Sequence, residues 1–466
     1  MIGNDIFPFD NEAEKYSINT TGFEDFKITN KHSGDAGHYG MVNPTTKKDY
    51  KYHFWFVPSD ELSFQLVKPT FKEFIEEIFP PKEQTWNDDR LTIVIDRRVE
   101  GIANHWANHI NKEIGKFGYN TKKIKWLSNC KDDTEPNITV YFSWELFMRT
   151  MRFQLNDKVF GRYCWGRDAG INEDFFQSAL KKFGVSSPED LDDEEFLLHQ
   201  TTYKKWLLNL DSTELLKKRP YTFLNYNGSM MPHKMWLLSE IFRRGLDDKI
   251  LLSALNRYDD SKEDLMKDMS REDSEYRANG EMVRSLKESN FLDKLPIYLD
   301  VGDFNNPYPG DQIGHIQSKK YPAIISEIGD SNPRKSHNNQ AYFAICTETS
   351  FEFSRLTGAP VKTILLNPFL LVGGAGSLGI LHSFGFKTFP NIFDESYDEI
   401  EDSVTRHKHL VNEVEKVCSL TEDEKYQLYL ESIPIIKHNQ EQFKRIDIKK
   451  FFLDIFYGLV DVTPIY

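Results

Sequence analysis

The chain has 466 residues, 39% hydrophobic and 28% charged, proportions that exclude global disorder and a fibrous repeat and allow two or three globular cores. With 58 Lys and Arg against 72 Asp and Glu the net charge is −14, which disfavours a surface-wide attraction to nucleic acid or anionic lipid, because phosphate contacts need clustered cations. Cys130, Cys164, Cys346 and Cys418 form no CxxC pair, so neither zinc nor a disulfide framework is expected, and a reducing, cytoplasmic compartment fits best.

The opening residues MIGNDIFPFDNEAEKYS carry acids and no apolar run, unlike a secretory signal. No stretch reaches the roughly 18 apolar residues of a membrane span. Residues 1–85 read as irregular and end in the turn Phe79-Pro80-Pro81. A buried strand is expected at 91–95, a helix from about 102 to 117, and strands at 123–127 and 138–142, the alternation of right-handed βαβ units. Residues 145–212 read as helical, with a capping signal at Ser186-Ser187-Pro188-Glu189.

A second α/β block opens at Pro220. Strands are expected at 221–226 and 250–255, with a helix over 233–244 that Pro232 starts and Gly245 stops, then an exposed, charged, helix-forming insertion over 259–290. Further strands fall at 323–325 and 342–346, and short helices at 351–357 and 378–384; the apolar run 363–366 leads into Asn367-Pro368, and 369–372 precedes a glycine-rich turn. A last strand is expected at 386–389, then helices over 395–417, 422–438 and 443–459. The economical division is a first Rossmann-like domain over 1–212, a second over 213–395, and a helical tail over 396–466 packing back towards the first.

In open α/β sheets ligands bind beyond the carboxyl ends of the strands, so chemistry is sought in the residues just past each strand. After 221–226 come Asn227-Gly228-Ser229-Met230-Met231-Pro232-His233-Lys234, a small-residue loop and a helix start whose N–H groups, His233 and Lys234 suit a phosphate. After 342–346, Thr347, Glu348 and Ser350 offer a carboxylate for the two hydroxyls of a ribose and hydroxyls for phosphate oxygens. The turn Gly373-Gly374-Ala375-Gly376 allows close backbone approach. It is not the dinucleotide fingerprint. Asp190-Leu191-Asp192 is read as solvated charge in an acidic linker, and His105 and His109 as ordinary histidines, so no metal site is expected.

Two segments carry a resemblance. Gly385-Phe386-Lys387-Thr388-Phe389 with Phe393-Asp394-Glu395-Ser396-Tyr397-Asp398, and Phe223-Leu224-Asn225 with Pro232-His233-Lys234, resemble the donor-binding half of GT-B glycosyltransferases, in particular the fucosyltransferase-like kind and related phage and giant-virus proteins. The likeness covers about 221–245 and 340–417. Thr349 stands where that family usually has Lys, and Lys234 where Arg is common; Arg355 is the candidate replacement charge. The resemblance implies two Rossmann-like domains facing across a cleft, with a nucleotide-sugar on the second. It implies transfer to a hydroxyl acceptor by metal-independent displacement, without a cofactor. The base then comes from the first domain, where Asp96 ends the 91–95 strand, with Glu100 in reserve. Two other readings stay open: a phage-type enzyme that glycosylates DNA bases, and an inactive binding or virion-associated protein of the same fold.

Overall fold

A computed structural model describes residues 26–30, 51–58, 66, 68–97, 104–128, 130–131, 139–141, 143, 146, 217–227, 231–254, 280–295, 297, 340–356, 358–447, 454 and 457–458. Glu100, the 145–212 helices except Leu146, the strand at 323–325, most of the 443–459 helix and Gly228-Ser229-Met230 lie outside them. The chain divides into two compact units, 1–172 with 446–466, and 173–445.

The first unit is a five-stranded parallel sheet. Its strands are β1 (Phe26–Asn30), β2 (Tyr52–Pro58), β3 (Leu91–Arg97), β4 (Ile124–Ser128) and β5 (Thr139–Tyr141). They lie side by side in chain order. Strand periodicity sends Leu91, Ile93 and Ile95 of β3 to one face, where they pack with Trp55, Trp126 and the apolar stripes of α1 (Phe71–Ile78) and α3 (Asn104–Gly115). Phe54, Phe56 and Val94, one residue out of phase, are buried on the other. The two indoles in this core satisfy their N–H groups, Trp55 on the Ile78 carbonyl at 3.1 Å and Trp126 on Asn111 Oδ1 at 3.0 Å, so neither buries an orphan donor.

The expected irregular stretch 1–85 therefore contains two strands and α1, with α2 (Lys82–Asn87) following. Tyr52-His53-Phe54-Trp55-Phe56-Val57 is a strand written mainly in aromatics, which favour a pleated, half-buried surface as β-branched residues do.

The second unit has a four-stranded parallel sheet of β6 (Tyr221–Asn227), β7 (Ile250–Ala254), β8 (Ala341–Thr347) and β9 (Phe369–Val372), in the order β9-β8-β6-β7. Parallel strands covered on both faces read as continuous apolar runs, and every residue of β8 and β9 is buried. From β6 the chain adds β7 on one side, then returns past β6 to place β8 on the other. The sheet thus reverses direction between β6 and β8.

Helix α4 (Pro232–Arg243) follows β6, with Pro at its first position and Gly245, at φ +65°, just past its end. Against it packs α5 (Gly280–Glu288), with Met282 and Leu286 buried and Ser285 hydrogen-bonded to Ser239 at 2.7 Å. The described end of the expected exposed insertion is thus packed rather than solvated. Helix α6 covers Gly358–Thr363 and α7 Ser377–Ser383. No strand forms at 386–389, and the described residues 351–356 form no helix.

The two long helices expected in a separate tail, α8 (Ser403–Ser419) and α9 (Glu422–Arg445), pack on the second sheet: α8 on α4 and β9, α9 on β8. Polar side chains of α9 stitch it there. Asn439 accepts from Lys387 N at 2.8 Å, and Gln440 donates to the Leu365 carbonyl at 2.8 Å. Residues 446–466 group with the first unit.

Candidate functional site

The reversal between β6 and β8 is a topological switch point, where neighbouring crossovers diverge and open a crevice beyond the strand ends. Asn227 ends β6, Thr347 ends β8, Glu348 follows directly, and α4 begins five residues after Asn227. The three segments that the sequence nominates separately meet here. His233 Nε2 lies 2.8 Å from the Glu348 carbonyl oxygen. Gly373 faces Glu348 so closely that a Cβ on it would lie 3.3 Å from Glu348 Cγ and 3.3 Å from Ser377 Oγ.

Lys234 is the unusual group. It is 5% exposed, and among the described residues no acceptor hydrogen-bonds its ammonium. Burial pushes its pKa down to about 8, against the pull of the Glu348 carboxylate, while the Arg355 charge pushes the same way as burial. Glu348 is 0% exposed and accepts from the N–H of Thr349 at 3.3 Å. The buried hydroxyls of Thr349 and Ser377 lack hydrogen-bond partners among the described residues. Buried polar atoms are nearly always satisfied, so the two open hydroxyls, with a Lys234 ammonium that has no acceptor among the described residues, mark this end of the sheet as a candidate ligand site. The N-terminus of α4 has no side-chain cap; Pro232 has no N–H and the N–H of Lys234 is bonded to the Met231 carbonyl at 3.0 Å, so what the helix start adds is the positive end of its dipole.

Other nominated residues have structural duties. Asn227 is fully buried; its Nδ2 donates to Asn225 Oδ1 at 2.5 Å and its Oδ1 accepts from Thr347 Oγ1 at 2.9 Å. This side-chain ladder fastens β6 to β8. Ser350 Oγ accepts from Phe353 N at 3.3 Å and shapes the turn. His233 does not add positive charge: burial foremost, then Lys234, drives its pKa down to about 3, so it is neutral and positions the Glu348 backbone. Arg355 is half-buried and acts on the site through its field.

The glycine turn is not an anion cradle. A Cβ on Gly374 would lie 2.2 Å from the Phe353 carbonyl carbon and oxygen, so this glycine lets two backbones pass. The Ser354 hydroxyl donates to the Ala375 carbonyl across the same contact. The start of α7 already holds an anion: Asp398 Oδ2 accepts from Leu378 N at 3.0 Å and Gly379 N at 3.4 Å.

The rest of the 393–398 motif is equally occupied. Asp394 caps the 3-10 turn Glu395–Glu399. Glu395 accepts from Thr388 Oγ1 at 2.7 Å and Phe389 N at 2.8 Å, and Tyr397 Oη accepts from Leu371 N at 3.2 Å. The segment that carries the resemblance fastens the sheet edge to the helices.

Residues the sequence reading does not nominate hold the site from behind. Arg406, 1% exposed, donates to the carbonyls of Phe351 and Ile400, with its guanidinium 4.4 Å from the centre of the Phe351 ring. Phe351 in turn stacks on His233 at 5.5 Å, and His407 lies flat on Trp236 at 3.6 Å. An Arg-His pair on a helix read as part of a tail gives no local signal of this duty.

In the first unit, Asp96 lies at the C-terminal end of the central strand β3, in register with Pro58 and Leu127. His109, on α3, is exposed and meets Trp106 edge-on at 6.2 Å. Among the described residues no group of three or more His, Cys, Asp and Glu could hold a metal, and no helix is long and apolar enough to cross a membrane. Comparison of the sequence with protein-family models and with curated proteins gives no match.

Proposed function

We propose that the second unit binds a nucleotide through its phosphate, and that the protein is a glycosyltransferase using a nucleotide-sugar donor. The observation that carries the reading is Lys234, a buried ammonium without a hydrogen-bond acceptor among the described residues, beside the buried Glu348 at a switch point. On this reading Lys234 and the α4 terminus take up the negative charge of the departing phosphate, a stabilisation that grows as the bond to the sugar breaks. Glu348 receives the hydroxyls of the ribose. The acceptor hydroxyl loses its proton to a carboxylate of the first unit, Asp96 or Glu100, as it attacks the anomeric carbon. The reading invokes no metal ion.

The test is donor binding and turnover by the full chain, with nucleotide-sugars and a panel of glycan, protein and DNA acceptors. Lys234→Met and Glu348→Gln should each weaken donor binding by about 1.5–3 kcal/mol, the scale of a hydrogen bond to a charged group. Asp96→Asn should leave donor affinity unchanged and cut turnover about 10²–10⁴-fold. Saturable donor binding without turnover on any acceptor identifies an inactive binding protein instead. Donor binding unaffected by both site variants refutes the assignment.

A further inference from the structure

Phe351, three residues past Glu348, is clasped by side chains of two helices. From α4, His233 lies parallel to its ring at 5.5 Å and donates from Nε2 to the Glu348 carbonyl at 2.8 Å. Near the start of α8, Arg406 donates to the Phe351 carbonyl with its guanidinium 4.4 Å from the ring centre, and His407 meets the ring edge-on at 5.9 Å. His407 also lies flat on Trp236 of α4 at 3.6 Å. The clasp thus ties α8 to the turn that carries Glu348 and to the helix that carries Lys234.

The two imidazoles fit this clasp only when neutral. His233 and His407 are 3% and 0% exposed. A carbonyl only accepts, so His233 carries its proton on Nε2, and its Nδ1 has no partner among the described residues; neither nitrogen of His407 has one. A further proton on either ring would bury a cationic N–H without an acceptor, which is costly. The cations that face the rings oppose it as well: Lys234 and Arg406 at His233, and His233, Arg244 and Arg406 at His407. The His233 backbone favours a charged His407, and burial outweighs it. The carboxylates of the neighbourhood pull on other cations, Glu348 on Lys234, and Asp398, Glu401, Asp402 and Glu352 on Arg406. A ring that takes a proton is therefore driven out of the clasp into water.

We propose that this clasp is an acid-opened latch: with both imidazoles neutral it holds α8 and the Glu348 turn on α4, and protonation frees residues 348–356 and the first turns of α8 while the sheet behind them stays folded. Such local openings cost less than global unfolding. An exposed histidine titrates near pH 6.5, so each ring that protonates only on opening raises the open population about tenfold per pH unit below that. Opening parts the Glu348 carbonyl from His233, so the switch-point site is assembled at neutral pH and taken apart in mild acid. The latch involves only the chain's own side chains and is independent of the nucleotide reading.

The experiment is amide hydrogen exchange of the full chain, read by mass spectrometry at pH 7, 6 and 5 and corrected for the intrinsic pH dependence of exchange. Protection of residues 348–356 and 403–411 should fall at least about tenfold from pH 7 to pH 5 relative to β8 and α9. The fall should be shallower in His407→Phe, which keeps a ring on Trp236, and in His233→Asn, whose amide can still donate to the Glu348 carbonyl. Either variant alone decides the point if the other does not fold. Protection in the two segments that does not change with pH overturns the latch. So does a loss shared equally by β8 and α9, which is global unfolding, or a loss equally steep in a folded variant, which places the responsible proton elsewhere.

Discussion

The two sheets are built from the same parts, short parallel strands with helical crossovers, yet they differ in order and in what lies at their carboxyl ends. The first runs β1 to β5 without a reversal. The described crossover helices α1 and α3 share one face and one apolar core. The second reverses between β6 and β8, and there Asn225, Asn227, Lys234, Thr347 and Glu348 are all buried. A fold pays for such groups only where they fasten strands or meet a ligand. Asn225, Asn227 and Thr347 do the first; Lys234 and Glu348 fit the second. Strand order, more than strand composition, thus decides at which sheet end buried polar groups gather.

The contrast between the sheets can be broken most severely at the glycine turn. Gly374→Ala forces a methyl group into the Phe353 backbone and should cost upwards of about 3 kcal/mol in urea unfolding. A cost below about 1 kcal/mol would mean that the two backbones part easily.

Lys234→Met should act in the opposite direction and raise the stability of the free protein by about 1–3 kcal/mol at pH 7, because burial of the ammonium outweighs the pull of the Glu348 carboxylate and leaves its pKa lowered to about 8. The pH dependence is set by the sign of the shift. The native-state pKa is about 8, below that of an unfolded lysine at about 10.4. Between these values the unfolded chain binds more protons, so stability rises with pH across that window. The advantage of the Met variant should therefore shrink there, as seen in unfolding curves at pH 7 and pH 10.

His233 and His407 both have pKa values lowered by burial, His233 to about 3 and His407 well below its ordinary value. An unfolded histidine titrates near 6.5, so stability should fall as pH drops from about 6.5 to 5, by up to about 1.4 kcal/mol per pH unit for each group. His407→Phe keeps a ring on Trp236 and should make that slope shallower. An unchanged slope would place the acid sensitivity elsewhere.

The smallest effect belongs to the first unit. Trp106, 45% exposed on α3, should tolerate replacement by Ala within about 0.5 kcal/mol. A larger loss would show that its contact with His109 holds α3 in place.

Much of the second sheet was legible because its strands are uninterrupted apolar runs and Pro232 and Gly245 bracket α4. His233, Lys234 and Glu348 were legible for a related reason: each comes soon after a strand end. The strand at 52–58 was hidden by its aromatics and by His53. The duties of Asp398 and Arg406 were hidden because they depend on partners 20 and 55 residues away, Leu378 and Phe351, and no local pattern encodes such a pairing. The glycine turn invited a phosphate reading because a backbone crossing and an anion site call for the same residue.

The central claim is that Lys234 is the cation that meets an anionic ligand at the switch point. Binding such a ligand should return the ammonium towards its ordinary pKa, so near pH 8, where the free protein holds it about half protonated, binding should take up to about half a proton from solution. Calorimetric titration of the tightest-binding nucleotide-sugar at pH 8, in two buffers of different ionisation enthalpy, reads this directly. The account predicts proton uptake in the native protein and none in Lys234→Met. Equal uptake in both, or a binding heat independent of buffer in the native protein, would contradict it.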